Sequence, residues 1–254
     1  MSSLQGKTAF VAGGTAGIGL AVAEAYVEQG ATVWIGGRRD DGAAIASAAG
    51  CSFVPLNVAD PESYRSAFAE IPEKLDVLVL NAGIGHAPGP LSSISDKRAR
   101  LVVDVNLLGT FWGLNQAPEQ MNDGGSIIIT SSISAVMGTS FEGLYGATKA
   151  GVSALAKSAA IDLGSRRIRV NAVQPSPVWT DLNQMPEQLL EIVAPLRRKG
   201  CVEDMTGLYL YLASDESSYL TGQALTVDGG LTAGHSQALM GAVASQLQGE
   251  AVPA

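Results

Sequence analysis

Thr8-Ala-Phe-Val-Ala12 runs directly into Gly13-Gly-Thr-Ala-Gly-Ile-Gly19, and then into Leu20-Ala-Val-Ala-Glu-Ala-Tyr-Val-Glu28. A short apolar run bounded by glycine reads as a buried strand, and the Ala-rich stretch from Ile18 to Glu28 reads as a helix. Between them, glycines at 13, 17 and 19 let backbone approach a pyrophosphate closely. They also let the helix pack tightly on the sheet. The helix N-terminus then offers amide donors and partial positive charge to an anion. A glycine-rich turn alone can simply be a turn. At the first strand-to-helix junction it predicts a dinucleotide site.

The same rhythm continues outward. Strands are expected at Thr32–Ile35, Ser52–Leu56, Leu75–Leu80, Ser126–Thr130, Ile168–Val173 and Leu225–Val227. Helices are expected near Asp41–Ala49, Pro61–Ala69 (behind Asp60 as N-cap), Asp96–Leu114 and Tyr145–Leu163. The strands are continuously apolar, so both sheet faces should be covered. The expectation is an α/β fold: one Rossmann-type, doubly wound parallel sheet of about seven strands flanked by helices. Residues 1–230 read as the dinucleotide-binding and catalytic domain. Residues 231–254 read as its C-terminal extension, with a short helix near Gln237–Gln248.

The chain has 254 residues, 46% of them hydrophobic and 16% charged, so a large core is available. Its net charge of −8 and lack of a basic patch point away from nucleic acid. No run of about 18 apolar residues exists for a membrane span, and the N-terminus lacks a signal-peptide apolar region. Cys51 and Cys201 are isolated, and we expect buried, inert thiols in a cytoplasmic protein. Two histidines without clustered carboxylates do not make a metal centre. His86, in a Gly/Pro loop, could line the cleft mouth or simply face solvent.

After the second strand, Gly37 holds the position where an acidic residue would take the ribose hydroxyls of NAD. Arg38 and Arg39 follow, and arginine can clamp a 2′-phosphate bidentately. NADP(H) is therefore favoured, with NAD(H) possible. Asp40 and Asp41 come next and would oppose a phosphate if they faced it. Further on, Tyr145 and Lys149 stand four apart on a helix, hence on one face. An ammonium beside a phenol should lower its pKa and fit it for proton transfer. By itself this pair is more often a solvated one.

In order along the chain stand the Gly13, Gly17, Gly19 turn, Asn81-Ala-Gly83, Asn106, Ser132, Tyr145-x-x-x-Lys149, Asn171 with Pro175, and Val227-Asp-Gly-Gly230. This set, over roughly residues 4–230, resembles the short-chain dehydrogenase/reductase family. The resemblance implies that Tyr145 is the acid/base and that Ser132 holds the substrate oxygen. Lys149 would bind the nicotinamide ribose and tune the tyrosine, and Asn106 would kink its helix and hold a relay water. It implies cofactor contacts at Gly13, Thr15, Gly17, Ile18, Gly19, Arg38, Arg39, Asn57, Val58, Asn81, Ala82, Gly83, Tyr145, Lys149, Pro175, Val178 and Thr180. His86, Ser134, Phe141 and Trp179 would line the substrate site. Val136, Met137, Leu182 and Met185 fall in cleft-lining segments too, and suggest an apolar or aromatic small-molecule alcohol or carbonyl, although each could be ordinary packing. The stretch Asp181–Lys199 would be a lid.

Three residues depart from the pattern. Ala12 replaces a threonine, so a side-chain brace to the Asn81 loop should be missing. Asn57 replaces an aspartate at the adenine, and Ser176 follows Pro175 in place of glycine. The expected function is alcohol–ketone interconversion. The alternatives are a 3-oxoacyl-thioester reductase and a non-catalytic nucleotide sensor. Relatives pair their long helices across an interface, implying a homotetramer or homodimer.

Overall fold

The structure, a computed structural model, describes residues 3–85, 89–178 and 186–247. The chain alternates strand and helix. It runs β1 (Thr8–Ala12), α1 (Gly17–Glu28), β2 (Thr32–Gly37), α2 (Gly42–Ala48), β3 (Ser52–Pro55), α3 (Pro61–Glu70) and β4 (Leu75–Leu80). Next come α4 (Asp96–Val103), a π-helical turn (Asp104–Leu108), α5 (Gly109–Gln120), β5 (Met121–Thr130) and α6 (Gly143–Leu163). The last elements are β6 (Arg169–Pro175), α7 (Glu187–Val193), α8 (Glu203–Ala213), β7 (Ala224–Val227) and α9 (Gln237–Leu247).

All seven strands pair in parallel, in the order β3-β2-β1-β4-β5-β6-β7. The order reverses between β1 and β4, and in such sheets the crevice opens at the carboxyl ends of the strands flanking that point. The continuous apolar character of the strands follows from coverage on both faces. In β1, Phe10 and Ala12 pack into one core beside Leu78, Ile127, Val152 and Val170, while Ala9 and Val11 pack into another beside Tyr26, Val79 and Tyr209. Each large side chain buried this way contributes roughly 1.5–3 kcal/mol.

Asp60 caps α3 as expected, accepting from the Glu62 amide with Pro61 at the first position. The single helix expected over Asp96–Leu114 is instead interrupted by the π turn and continues to Gln120. β5 starts earlier than expected. It pairs Met121 with Leu75 and then shifts register before Ser126 meets Val77. Cys51 and Cys201 are only partly buried, a correction to the expectation of buried thiols. Burial still raises the Cys51 pKa to about 11, helped by Glu24, so it stays a protonated thiol. Among the described residues no helix is long and apolar enough to cross a membrane.

Candidate active site

The turn after β1 is fixed by the strands on either side of β1, which are β2 and β4. Gly13 and Gly14 donate their amides to the Gly36 carbonyl at 2.8 and 3.2 Å. Gly13 has φ +85°, and a Cβ there would sit 2.7 Å from the Ala82 backbone. A Cβ on Gly19 would sit 2.2 Å from the Gly13 oxygen, so the first turn of α1 lies directly under the loop. The expected loss of a brace at Ala12 is made good by backbone. The Ala12 carbonyl accepts from the Asn81 and Ala82 amides, both at 3.0 Å, and Asn81 Nδ2 donates to the Gly13 oxygen at 2.9 Å. Asn81 Oδ1 in turn accepts from the Thr130 hydroxyl at 2.9 Å.

Ala16, the N-cap of α1, has extended backbone and makes no side-chain cap. The first amides of α1 therefore lack intrahelical or capping partners. Uncapped donors at the reversal point of the sheet, with glycine backbone drawn close, fit the pyrophosphate of a dinucleotide. Thr15 is buried and stands 2.9 Å from where a Cβ on Gly37 would lie. Arg38 is exposed; Arg39 holds Asp41 in a fork, Nε to Oδ1 at 2.8 Å and Nη2 to Oδ2 at 2.9 Å. Asn57 is exposed and uses its side-chain oxygen on the Ala59 amide, which leaves its amide nitrogen for an outside acceptor. Val58 is buried.

At the carboxyl end of β5 the catalytic candidates converge. Lys149 is buried on α6, only 3% exposed. Its Nζ donates to the Thr130 carbonyl at 2.8 Å and lies 5.7 Å from the centre of the Tyr145 ring. Two hydroxyls, Ser131 and Ser153, donate to the Lys149 carbonyl and fix this turn of α6. Burial lowers the Lys149 pKa to about 8. Asn106, fully buried in the π turn, pairs with Ile84 in both directions: Oδ1 accepts from its amide at 2.8 Å, and Nδ2 donates to its carbonyl at 2.9 Å. A Cβ on Gly83 would lie 3.2 Å from Lys149 Nζ and 3.5 Å from Asn106 Oδ1, so these three positions meet.

Ser132 opens a short turn by accepting from the Ser134 amide at 3.1 Å. The Tyr145 phenol runs against expectation. Its pKa is raised to about 12, first by burial, with Ser132 hydrogen bonding opposing and the Glu142 carboxylate reinforcing the rise. The ammonium expected to lower it lies over the ring and is buried itself. In this structure, Tyr145 is a phenol holding its proton.

Pro175 pairs with Val227 across β6 and β7, and buried Val178 bridges to Gly200. Asn171 is structural: it accepts from the Gln223 amide and donates to the Leu220 carbonyl. His86, Trp179, Thr180, Leu182 and Met185 lie outside the described residues. Val136 and Phe141 are exposed. The sequence reading passed over Thr130, Thr148 and Glu142. Thr148 accepts from Asn106 Nδ2 at 3.3 Å, and its position one residue before Lys149 was the available signal.

Three comparisons bear on this site. The family model described as "Enoyl-(Acyl carrier protein) reductase" matches residues 12–232. L-rhamnose 1-dehydrogenase (NAD(P)(+)) from Sphingomonas sp. (strain SKA58) is 38% identical over 253 residues, covering 91% of this chain and 98% of that protein. The NADP-dependent (R)-specific alcohol dehydrogenase of Lentilactobacillus kefiri is 36% identical, covering 91% and 98%. The solved structure of a short-chain type dehydrogenase/reductase from Mycobacterium ulcerans superposes with a TM-score of 0.87 at 31% identity, covering 92% of each chain. With the sheet order, the glycine turn and the Tyr145–Lys149 helix, these matches make the chain a member of the short-chain dehydrogenase/reductase family, an NAD(P)-dependent oxidoreductase of alcohols and carbonyls.

Proposed function

We propose that this protein interconverts a secondary alcohol and its ketone with NADP(H), using Tyr145 as the acid/base. The observation that carries the reading is the buried Lys149 ammonium, 5.7 Å from the Tyr145 ring centre at the carboxyl end of β5. The dinucleotide, when bound, supplies or accepts the hydride. Tyr145 supplies the proton to the carbonyl oxygen in reduction and recovers it in oxidation. Ser132, whose hydroxyl proton lies toward Ser134 Oγ in the free protein, turns it to the same oxygen and stabilises its developing charge. Lys149 holds positive charge beneath the phenol, which makes the phenolate less costly during oxidation. Asn106 keeps the loop from Gly83 to Ile84 in register against α6. The carbonyl of Asn106 accepts from the Thr110 hydroxyl at 3.0 Å and has a second lone pair for a relay water.

The preference for the phosphorylated cofactor rests on Arg38 and Arg39. The Arg39–Asp41 fork is half exposed, and such surface pairs contribute little because water and salt screen them. A 2′-phosphate, offering bidentate charge-assisted bonds, can therefore take the guanidinium from Asp41. The expected result is a higher kcat/KM with NADPH than with NADH. That preference should collapse in Arg38→Ala/Arg39→Ala and grow by about two- to fivefold in Asp41→Asn. Equal or better efficiency with NADH in the parent enzyme would overturn the assignment.

A further inference from the structure

At the start of α6 lies a groove of about 400 Å³, lined by small residues, several of them apolar, together with Ser134, Thr139, Ser140 and Glu142. Glu142 is the one charged residue in its lining. Its backbone opens α6, its carbonyl accepting from the Gly146 amide at 2.7 Å, yet its side chain does not cap the helix. Instead Oε2 accepts from the Ser134 hydroxyl at 2.7 Å. The Ser132 hydroxyl in turn donates to Ser134 Oγ at 3.3 Å. A hydrogen-bonded chain thus runs from the residue that grips the reacting oxygen, through Ser134, to a carboxylate in an open groove.

The backbone is bent to hold the carboxylate there. Phe141, just before it, has φ +66°, a left-handed conformation that costs a bulky residue energy. The Glu142 amide closes the turn onto the Thr139 carbonyl at 3.1 Å. Among the described residues, Ser134 is the only hydrogen-bond donor to this carboxylate. A carboxylate has about four acceptor positions, so most of its capacity is left for other donors. An apolar substrate would strip water from Glu142 and Ser134 and return nothing, and a carboxylate substrate would meet like charge. A hydroxyl returns a hydrogen bond.

We infer that Glu142 and Ser134 receive a second hydroxyl of the substrate, so that the enzyme acts on a neutral polyhydroxylated alcohol or its ketone. This differs from the apolar or aromatic substrate expected from Val136, Met137, Phe141, Trp179, Leu182 and Met185, of which Trp179, Leu182 and Met185 lie outside the described residues. The inference rests on the dehydrogenase reading above and adds the substrate class.

Five-carbon substrates separate the possibilities: pentitols and aldopentoses, 2-pentanol, and 2-hydroxypentanoate. Each is oxidised with NADP⁺ by the parent, Glu142→Gln, Glu142→Leu, Ser134→Ala and Tyr145→Phe, with thermal unfolding checked for every variant. The parent should turn over at least one polyhydroxylated substrate with the highest kcat/KM and 2-hydroxypentanoate with the lowest. Glu142→Leu should cut the polyol-to-pentanol ratio tenfold or more, mostly through KM. Glu142→Gln, whose amide oxygen still accepts, should keep more of that ratio and raise 2-hydroxypentanoate tenfold relative to 2-pentanol. If the ratios do not move in either Glu142 variant, or the parent prefers 2-pentanol, the inference falls while the dehydrogenase reading stands on Tyr145→Phe. No turnover of any substrate by the parent would bring down both.

Discussion

Tyr145 keeps its proton across the neutral range, because burial raises its pKa to about 12 and Glu142 pushes in the same direction. In the proposed mechanism, reduction draws on that protonated phenol and on the Lys149 ammonium beside its ring. Oxidation needs the phenolate. Oxidation efficiency should therefore climb with pH, about tenfold per pH unit below about 8, and level off above it, where Lys149 loses the charge that favours the phenolate. Reduction should decline above about 8, where Lys149 loses its charge. Glu142→Gln removes an anion that disfavours the phenolate, so the oxidation limb should move to lower pH. Initial rates in both directions from about pH 6 to 10 check this, and a flat oxidation profile would contradict it. The direction of the Tyr145 shift was not legible in the sequence. Spacing showed that Lys149 shares its helix face, but desolvation depends on everything packed around the pair. Glu142 was equally hidden, since only the Thr139–Glu142 turn brings it back to Ser134.

At the scale of elements, the glycine turn was the most readable feature, because its residue types answer a local demand for close backbone approach. Gly19→Ala would place a Cβ 2.2 Å from the Gly13 oxygen and 2.5 Å from Asn81 Nδ2, forcing the turn off the β4 loop. The variant should lose about 1–3 kcal/mol of stability and bind NADPH about tenfold more weakly. Gly207→Ala is its control: a Cβ in α8 meets nothing within 4 Å, and helix propensity favours alanine by about 1 kcal/mol. NADPH titration and thermal unfolding of both variants check the pair, and unchanged affinity in Gly19→Ala would contradict the placement. The resemblance implied a kink at Asn106, but its form as a π turn was not legible. Asp96–Leu114 has helical character throughout, and the interruption follows from Asn106 pairing with Ile84, twenty-two residues earlier. The early start of β5 was missed for a similar reason: Met121 joins the sheet only by pairing with Leu75 before the register shifts.

At the scale of the whole molecule, the alternation of apolar strands and helices dictated a sheet covered on both faces, and seven parallel strands form it. That topology brings residues distant in sequence to one crevice: the turn after β1, Asn81 after β4, Thr130 at the end of β5 and Lys149 on α6. The Thr130 joint links them, its hydroxyl on Asn81 and its carbonyl on Lys149. A strand-end threonine gave no sign of this in the sequence, because both partners reach it only through the fold. The account's central claim is that this crevice couples a bound dinucleotide to a proton held by Tyr145. Tyr145→Phe tests it most directly, by NADPH titration and steady-state ketone reduction on the same preparation. The account predicts cofactor binding like the parent's and a loss of at least about a hundredfold in kcat/KM. Turnover near the parent's, with cofactor binding intact, would contradict it.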